Sequence, residues 1–127
     1  HPEGGHFVEV YKNKDVSHIY FLLEKDEHSH WHRITKNETI HFYTGNPLNI
    51  FTSKNGEEFE TNVIGSQNQY MFTIEKNTWF AMKSTGLFSI IGCTVAPGFD
   101  FEDFSFIEEP SMKEWIKVAH PDLTRFI

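Results

Sequence analysis

EHSHWHRITKNETIHFYTG, residues 27–45, sets four histidines, His28, His30, His32 and His41, around one carboxylate, Glu38, in a stretch that otherwise reads as sheet. On a strand, residues two apart face the same way, so His30 and His32 aim their imidazoles to one side and Trp31 to the other. Thr35-Lys36-Asn37 reads as a turn that returns the next strand alongside the first, which makes Glu38 the carboxylate nearest the pair. Two imidazoles and a carboxylate with open positions suit Fe(II), Mn(II) or a similar divalent ion. If Glu38 points inward, Ile40 and Phe42 do too, and Thr39, His41 and Tyr43 take the opposite surface; the sequence is compatible with either parity. His28 lies in a charged run and is expected in solvent.

Outward from this stretch, short runs rich in β-branched and aromatic residues recur at 7–11, 18–23, 30–34, 39–43, 48–52, 59–64, 70–74, 78–82 and 88–95. Their even spacing predicts an all-β antiparallel sandwich or barrel. Asn55-Gly56 predicts a type I′ hairpin turn, Gly45-Asn46-Pro47 a sharp corner, and Gly4-Gly5 a tight turn before the first strand. Ser111 as N-cap, with Glu114 three residues later and Met112, Trp115, Ile116 and Ala119 on one stripe, predicts a C-terminal helix that Pro121 stops. Residues 99–104 alternate rings with acids and read as an edge segment.

The chain has 127 residues, 39% of them hydrophobic and 13 of them Phe, which fits one domain over residues 1–127 with an aromatic core. Its net charge of −7 and the absence of any basic stripe disfavour nucleic acid and anionic membrane as partners. No apolar run approaches a membrane span, and the opening residues lack a signal core. A single cysteine, Cys93, fits a reducing compartment, so a cytoplasmic setting is expected.

Several side chains carry candidate chemistry. His41 could exchange a proton with substrate, or sit in the strand hydrogen-bonded to a neighbour. Phe7, Glu9 and Tyr11 are expected on one strand face, a carboxylate between two rings that could grip a small polar ligand. Arg33 could pair with Glu9 or clamp a ligand carboxylate or phosphate. Cys93, in an apolar run, is assigned to the core, and Trp79 and Phe80 to core or pocket lining.

The order His30-x-His32, Glu38, Gly45 resembles the first conserved motif of the cupins, small jelly-roll β-barrels, with one extra residue between His32 and Glu38. In the stretch that corresponds to the second motif, residues 74–80, Asn77 stands at the glycine position, Glu75 replaces proline and Phe80 stands where a third histidine would. The opening His1-Pro2-Glu3-Gly4-Gly5, the His32-Arg33 pair, Glu38-x-x-His41-Phe42-Tyr43-x-Gly45 and residues 92–101 together resemble a small single-domain cupin subfamily of uncharacterised function.

The resemblance implies a double-stranded β-helix with a pocket inside the barrel, often dimeric. It also implies a small-molecule ligand, with a divalent metal (Fe, Mn, Ni or Zn) held by His30, His32 and Glu38. In a metal-dependent enzyme of this kind Glu38 and His41 would be the catalytic residues, and Glu9, Arg33, Phe7, Tyr11, Trp79 and Phe80 would line the ligand. The loss of a ligand to Phe80 favours a second reading, a metal-free epimerase or isomerase of a sugar or sugar nucleotide; a third is a binding protein without chemistry. More aromatic residues are present than one small barrel buries, which adds to the expectation of a homodimer.

Overall fold

A computed structural model of the chain describes residues 4–100 and, for residues 104–106, the backbone. Ten strands form where alternation and turn residues place them: β1 (His6–Lys12), β2 (Ser17–Glu24), β3 (His32–Ile34), β4 (Asn37–Gly45), β5 (Leu48–Ser53), β6 (Glu60–Ile64), β7 (Met71–Ile74), β8 (Trp79–Ser84), β9 (Phe88–Ala96) and β10 (Phe104–Phe106). No helix occurs among the described residues. The helix expected from Ser111 onward lies outside them.

The strands pair antiparallel in two five-stranded sheets, ordered β1-β2-β9-β4-β7 and β10-β3-β8-β5-β6. The chain stays within one sheet only from β1 to β2 and from β5 to β6 and changes sheet at every other connection between the described strands, the crossing pattern of a jelly-roll barrel. The core lies between the sheets. Phe21, Leu23, Ile40, Phe42, Ile74, Ile91 and Cys93 enter it from the first sheet; Leu48, Ile50, Ile64, Phe80 and Met82 enter from the second. Removing these side chains from water is the main driving force for closing the barrel.

Turn chemistry fixes the ends. Gly4 and Gly5 take φ of 106° and 80°, and a Cβ on Gly4 would lie 2.2 Å from the His28 carbonyl oxygen. Asn77, at the position expected of glycine, takes φ of 62°, a region asparagine tolerates better than most residues. Asn46 Oδ1 accepts from the backbone N–H of Leu87 and Phe88 at 2.8 and 3.3 Å, holding the Gly45-Asn46-Pro47 corner.

The type I′ turn at Asn55-Gly56 is not formed. Gly56 alone of the two has positive φ, and residues 54–59 make a longer loop, closed by Asn55 Oδ1 accepting from Glu57 N–H and Glu58 N–H at 2.8 and 2.9 Å. The asparagine side chain substitutes for a backbone turn, so the strands end earlier than a two-residue hairpin requires.

Candidate functional site

The parity left open by the sequence is fixed by β4. Ile40 and Phe42 are buried in the core, and Glu38, two residues earlier, points the same way and is 8% exposed. Glu38 lies between Ile74 of β7 and Val95 of β9 in register. On the facing sheet, His32 begins β3, is 1% exposed, and is the register partner of Phe80. The imidazole lies on the phenyl ring, with centroids 4.0 Å apart. Buried Thr52, on the far side of Phe80, and buried Ser17, beside Val95, complete a polar end to the barrel.

His32 Nδ1–H donates to the His30 carbonyl at 2.6 Å. That bond fixes the tautomer, so in the neutral ring Nε2 carries the lone pair. At the same end, between the edges of β6 and β7, a cavity of about 340 Å³ is lined by Thr52, Ser53, Glu58, Glu60, Phe72, Ile74 and Thr78 with Lys54, Asn55 and Glu75. Its Thr52 and Ile74 are the cross-strand partners of Phe80 and Glu38. Lys54 Nζ and Glu75 Oε2 pair at 3.2 Å on its rim.

The remaining candidates are dispersed. His30 lies in the loop before β3, its ring 5.1 Å from that of His28. His28, expected in solvent, is half-buried and bridges to Lys83. Among the described residues, the one group of three His, Cys, Asp or Glu ligand atoms within 4.8 Å of one another is His6, Glu24 and Glu27, on the surface; His30, His32 and Glu38 form no such group. The His6 cluster is an exposed ion-pair arrangement, with His6 Nε2 3.1 Å from Glu27 Oε2 and 3.9 Å from Glu24 Oε1.

His41 is separated from Glu38 by the sheet itself. Its Nε2 meets Thr94 Oγ1 at 3.1 Å on the outer face, where His18 Nδ1 meets the same hydroxyl at 2.8 Å. Partial burial and the neighbouring His18 hold the His41 imidazole below its ordinary 6.5. The pair His41 and Glu38 therefore cannot serve one site.

Phe7, Glu9 and Tyr11 do not share a face. Phe7 pairs with Phe21 and Glu9 with Ile19, but a bulge at Val10 turns Tyr11 to the opposite side, against His18. Glu9 instead borders a shallow surface cleft with Lys12, Lys14, Lys36 and Phe99. Arg33 stacks on Trp79, its guanidinium carbon 4.6 Å from the ring centroid, on the outer face of the second sheet. Trp79 is buried there, whereas Phe80 is buried inside the barrel and Cys93 is a buried free thiol of the core.

Sequence reading passed over Thr52, Thr78, His18 and Thr94. The first two are small polar residues without a motif; the last pair would have followed from reading alternate positions of β2 and β9 together.

Comparison with known proteins sets this geometry in context. Residues 1–107 match the family described as Cupin superfamily (DUF985). The crystal structure of a protein from Shewanella oneidensis is similar over 98% of this chain and 85% of that one, at 30% identity and a TM-score of 0.82. A hypothetical protein from Leishmania major is similar over 100% of this chain and 89% of that one, at 22% identity and a TM-score of 0.80. Oxalate decarboxylase from Bacillus subtilis shares the fold, at 10% identity and a TM-score of 0.72, over 98% of this chain and 35% of that one. No curated protein matches the chain.

Proposed function

The chain belongs to the cupin superfamily, in the family described as DUF985, and from that premise we propose that it binds a small polar molecule at the His32–Glu38 end of its barrel without a metal ion. The carrying observation is chemical segregation. Buried His32 and Glu38 face inward from opposite sheets at one end of the barrel, next to a cavity lined by their strand neighbours Thr52 and Ile74, whereas the buried serines of the other end, Ser84 and Ser89, bond to each other at 2.7 Å. A few polar groups converging beside a cavity are a usual element of a ligand site.

The donor set does not fit a metal centre of two histidines and a carboxylate. Ligand atoms of His30, His32 and Glu38 do not gather within 4.8 Å, and Phe80, the register partner of His32, is a phenyl ring where the resemblance places a third histidine.

What the residues can do is move a proton. With Nδ1–H committed to the His30 carbonyl, Nε2 of neutral His32 is the basic atom, able to take a proton from a ligand carbon next to a carbonyl. Glu38, as a buried carboxylate, can hold a ligand hydroxyl. This is the chemistry of an epimerase or isomerase, and sugars or sugar nucleotides carry the groups it requires. The alternative is binding without chemistry, which the same site serves when no acidic C–H is presented. We further propose a homodimer and a cytoplasmic setting in which Cys93 stays reduced.

Thermal shift against a panel of sugars, sugar nucleotides and small keto acids tests the site. At least one compound raises the melting temperature of the native chain and leaves Glu38→Gln unmoved; a rise equal in both proteins contradicts the assignment. Conversion of the bound compound, followed by NMR, separates the enzyme from the binding protein.

A further inference from the structure

The outer face of the β1-β2-β9-β4-β7 sheet is built differently from the rest of the surface. Alternation and register place on it His6, Val8 and Tyr11 of β1, His18, Tyr20 and Leu22 of β2, Ile90, Gly92 and Thr94 of β9, Thr39, His41 and Tyr43 of β4, and Met71 and Thr73 of β7. Within those rows the one Asp, Glu, Lys or Arg is Glu24, at the end of the β2 row, although 23% of the chain is charged and its net charge is −7. Glu24 marks the margin, beside His6.

The face is also apolar and open. Val8 is 64% exposed and Met71 54%, and Tyr11, Tyr20 and Tyr43 are each about half exposed. The Tyr20 and Tyr43 rings meet edge to face at 5.7 Å, and Gly92 beneath leaves room for Tyr43. A shallow groove lined by His6, Phe7, Val8, Tyr20, Leu22, Tyr43 and Ile90 runs along it. Val8, Met71, Tyr11, Tyr20 and Tyr43 alone offer on the order of 500 Å² of accessible surface, against roughly 800 Å² per partner in a standard interface. Depletion of charge with enrichment in Tyr and Met is the composition of an interface centre. Two copies of an acidic chain repel through any surface that carries its carboxylates, and this one carries none in its middle.

At the centre of the face one hydroxyl serves two imidazoles. Thr94 Oγ1 lies 2.8 Å from His18 Nδ1 and 3.1 Å from His41 Nε2. The hydroxyl has one proton to give, so with neutral rings it donates to one and accepts from the other. When both rings are protonated, both must donate to the same oxygen, and two positive charges sit side by side.

Few other titratable groups face this centre. Tyr11 of β1 lies 6.3 Å from His18. Thr94 and Gly92 of β9, and Met71 and Thr73 of β7, add no charge. Glu9 and Lys12 of β1 pair with Ile19 and Ser17 on the inner side. The carboxylate of the face, Glu24, lies at its margin beside His6 and not beside the two imidazoles.

We propose that this uncharged face is where two copies of the chain associate, and that the His18–Thr94–His41 centre makes the association sensitive to acid. The inference rests on the homodimer reading and adds its surface and its control. Assembly removes the centre from water, which favours neutral rings, and acid returns four charges to the middle of the interface.

The test is the molar mass in solution, by light scattering after gel filtration, at about pH 7.5 and about pH 5, for the native chain, Tyr20→Glu, and the double variant His18→Gln/His41→Gln. The native chain is expected to be a dimer at the higher pH, with its dissociation constant rising about 100-fold at the lower. Tyr20→Glu is expected to be monomeric and folded by circular dichroism, since Tyr20 is half exposed in the monomer. The double variant is expected to stay dimeric at both. A dimer that survives Tyr20→Glu overturns the choice of face. A native dimer equally tight at both pH values overturns the acid control and leaves the homodimer intact, whereas a native monomer at the higher pH overturns the homodimer reading itself.

Discussion

Phe80 and His32 are the two residues on which the reading of the barrel interior turns. A phenyl ring stands where the cupin resemblance places an imidazole, and it is fully buried and in tilted contact with His32. Phe80→Ala should therefore lower unfolding free energy by about 3–5 kcal/mol in a urea titration, through lost burial and the cavity left behind; a loss below about 1 kcal/mol would mean that the site collapses freely. The substitution of histidine by Phe80 was legible in the sequence. The inward aim of Glu38 was not, because a strand's parity is set by its partners, and only Ile40 and Phe42 in the core decide it.

His41 gives a pH signature. Its imidazole is held below the ordinary 6.5, so the folded chain binds fewer protons than the unfolded chain as pH falls below that value. Stability then rises with pH up to about 6.5 and is lost on acidification through the lowered pKa. His41→Gln should flatten this slope between about pH 7 and pH 5 in thermal melts; an unchanged slope would show that other groups govern the acid limb.

At the level of elements, the nine strands expected from alternation all form, because period-two patterning and turn residues agree along the chain. Ends shift by a residue or two, and the predicted strand at 30–34 shortens to His32–Ile34. Bulges stayed hidden. The extra residue at Val10 moves Tyr11 to the other face, and that at Tyr43 offsets the end of β4, yet neither leaves a compositional trace. The loop at 54–59 was misread for a related reason: Asn55 closes it through its side chain and not through a left-handed backbone.

Two turn substitutions measure these devices. Asn77→Ala places a Cβ-bearing residue without a local hydrogen-bonding side chain at φ of 62° and should cost about 1–2 kcal/mol. Asn55→Ala removes acceptors for two backbone N–H groups in an exposed loop and should cost about 0.5–1.5 kcal/mol. Chemical denaturation reads both, and the reverse order of effects would assign the larger constraint to the loop.

Across the whole molecule, one sheet separates two kinds of surface. Its inner side supplies half of an apolar core with Glu38 at the polar end; its outer side is an uncharged face with His18 and His41 at the centre. The resemblance to cupins carried the architecture, and the packing of β4 turned Glu38 inward. It grouped His41, Glu9 and Tyr11 with them, and the fold distributes those three elsewhere. Proximity in sequence overstated proximity in space because strands alternate faces and bulge.

In the proposed reading the inner site works without a metal at His30, His32 and Glu38. Elemental analysis of native protein purified without chelators, then incubated with Fe(II), Mn(II), Ni(II) and Zn(II) and desalted, beside His32→Ala and Glu38→Ala, tests it most directly. The account predicts substoichiometric metal that does not differ among the three proteins. Near-stoichiometric metal in the native chain that disappears in both variants would contradict it.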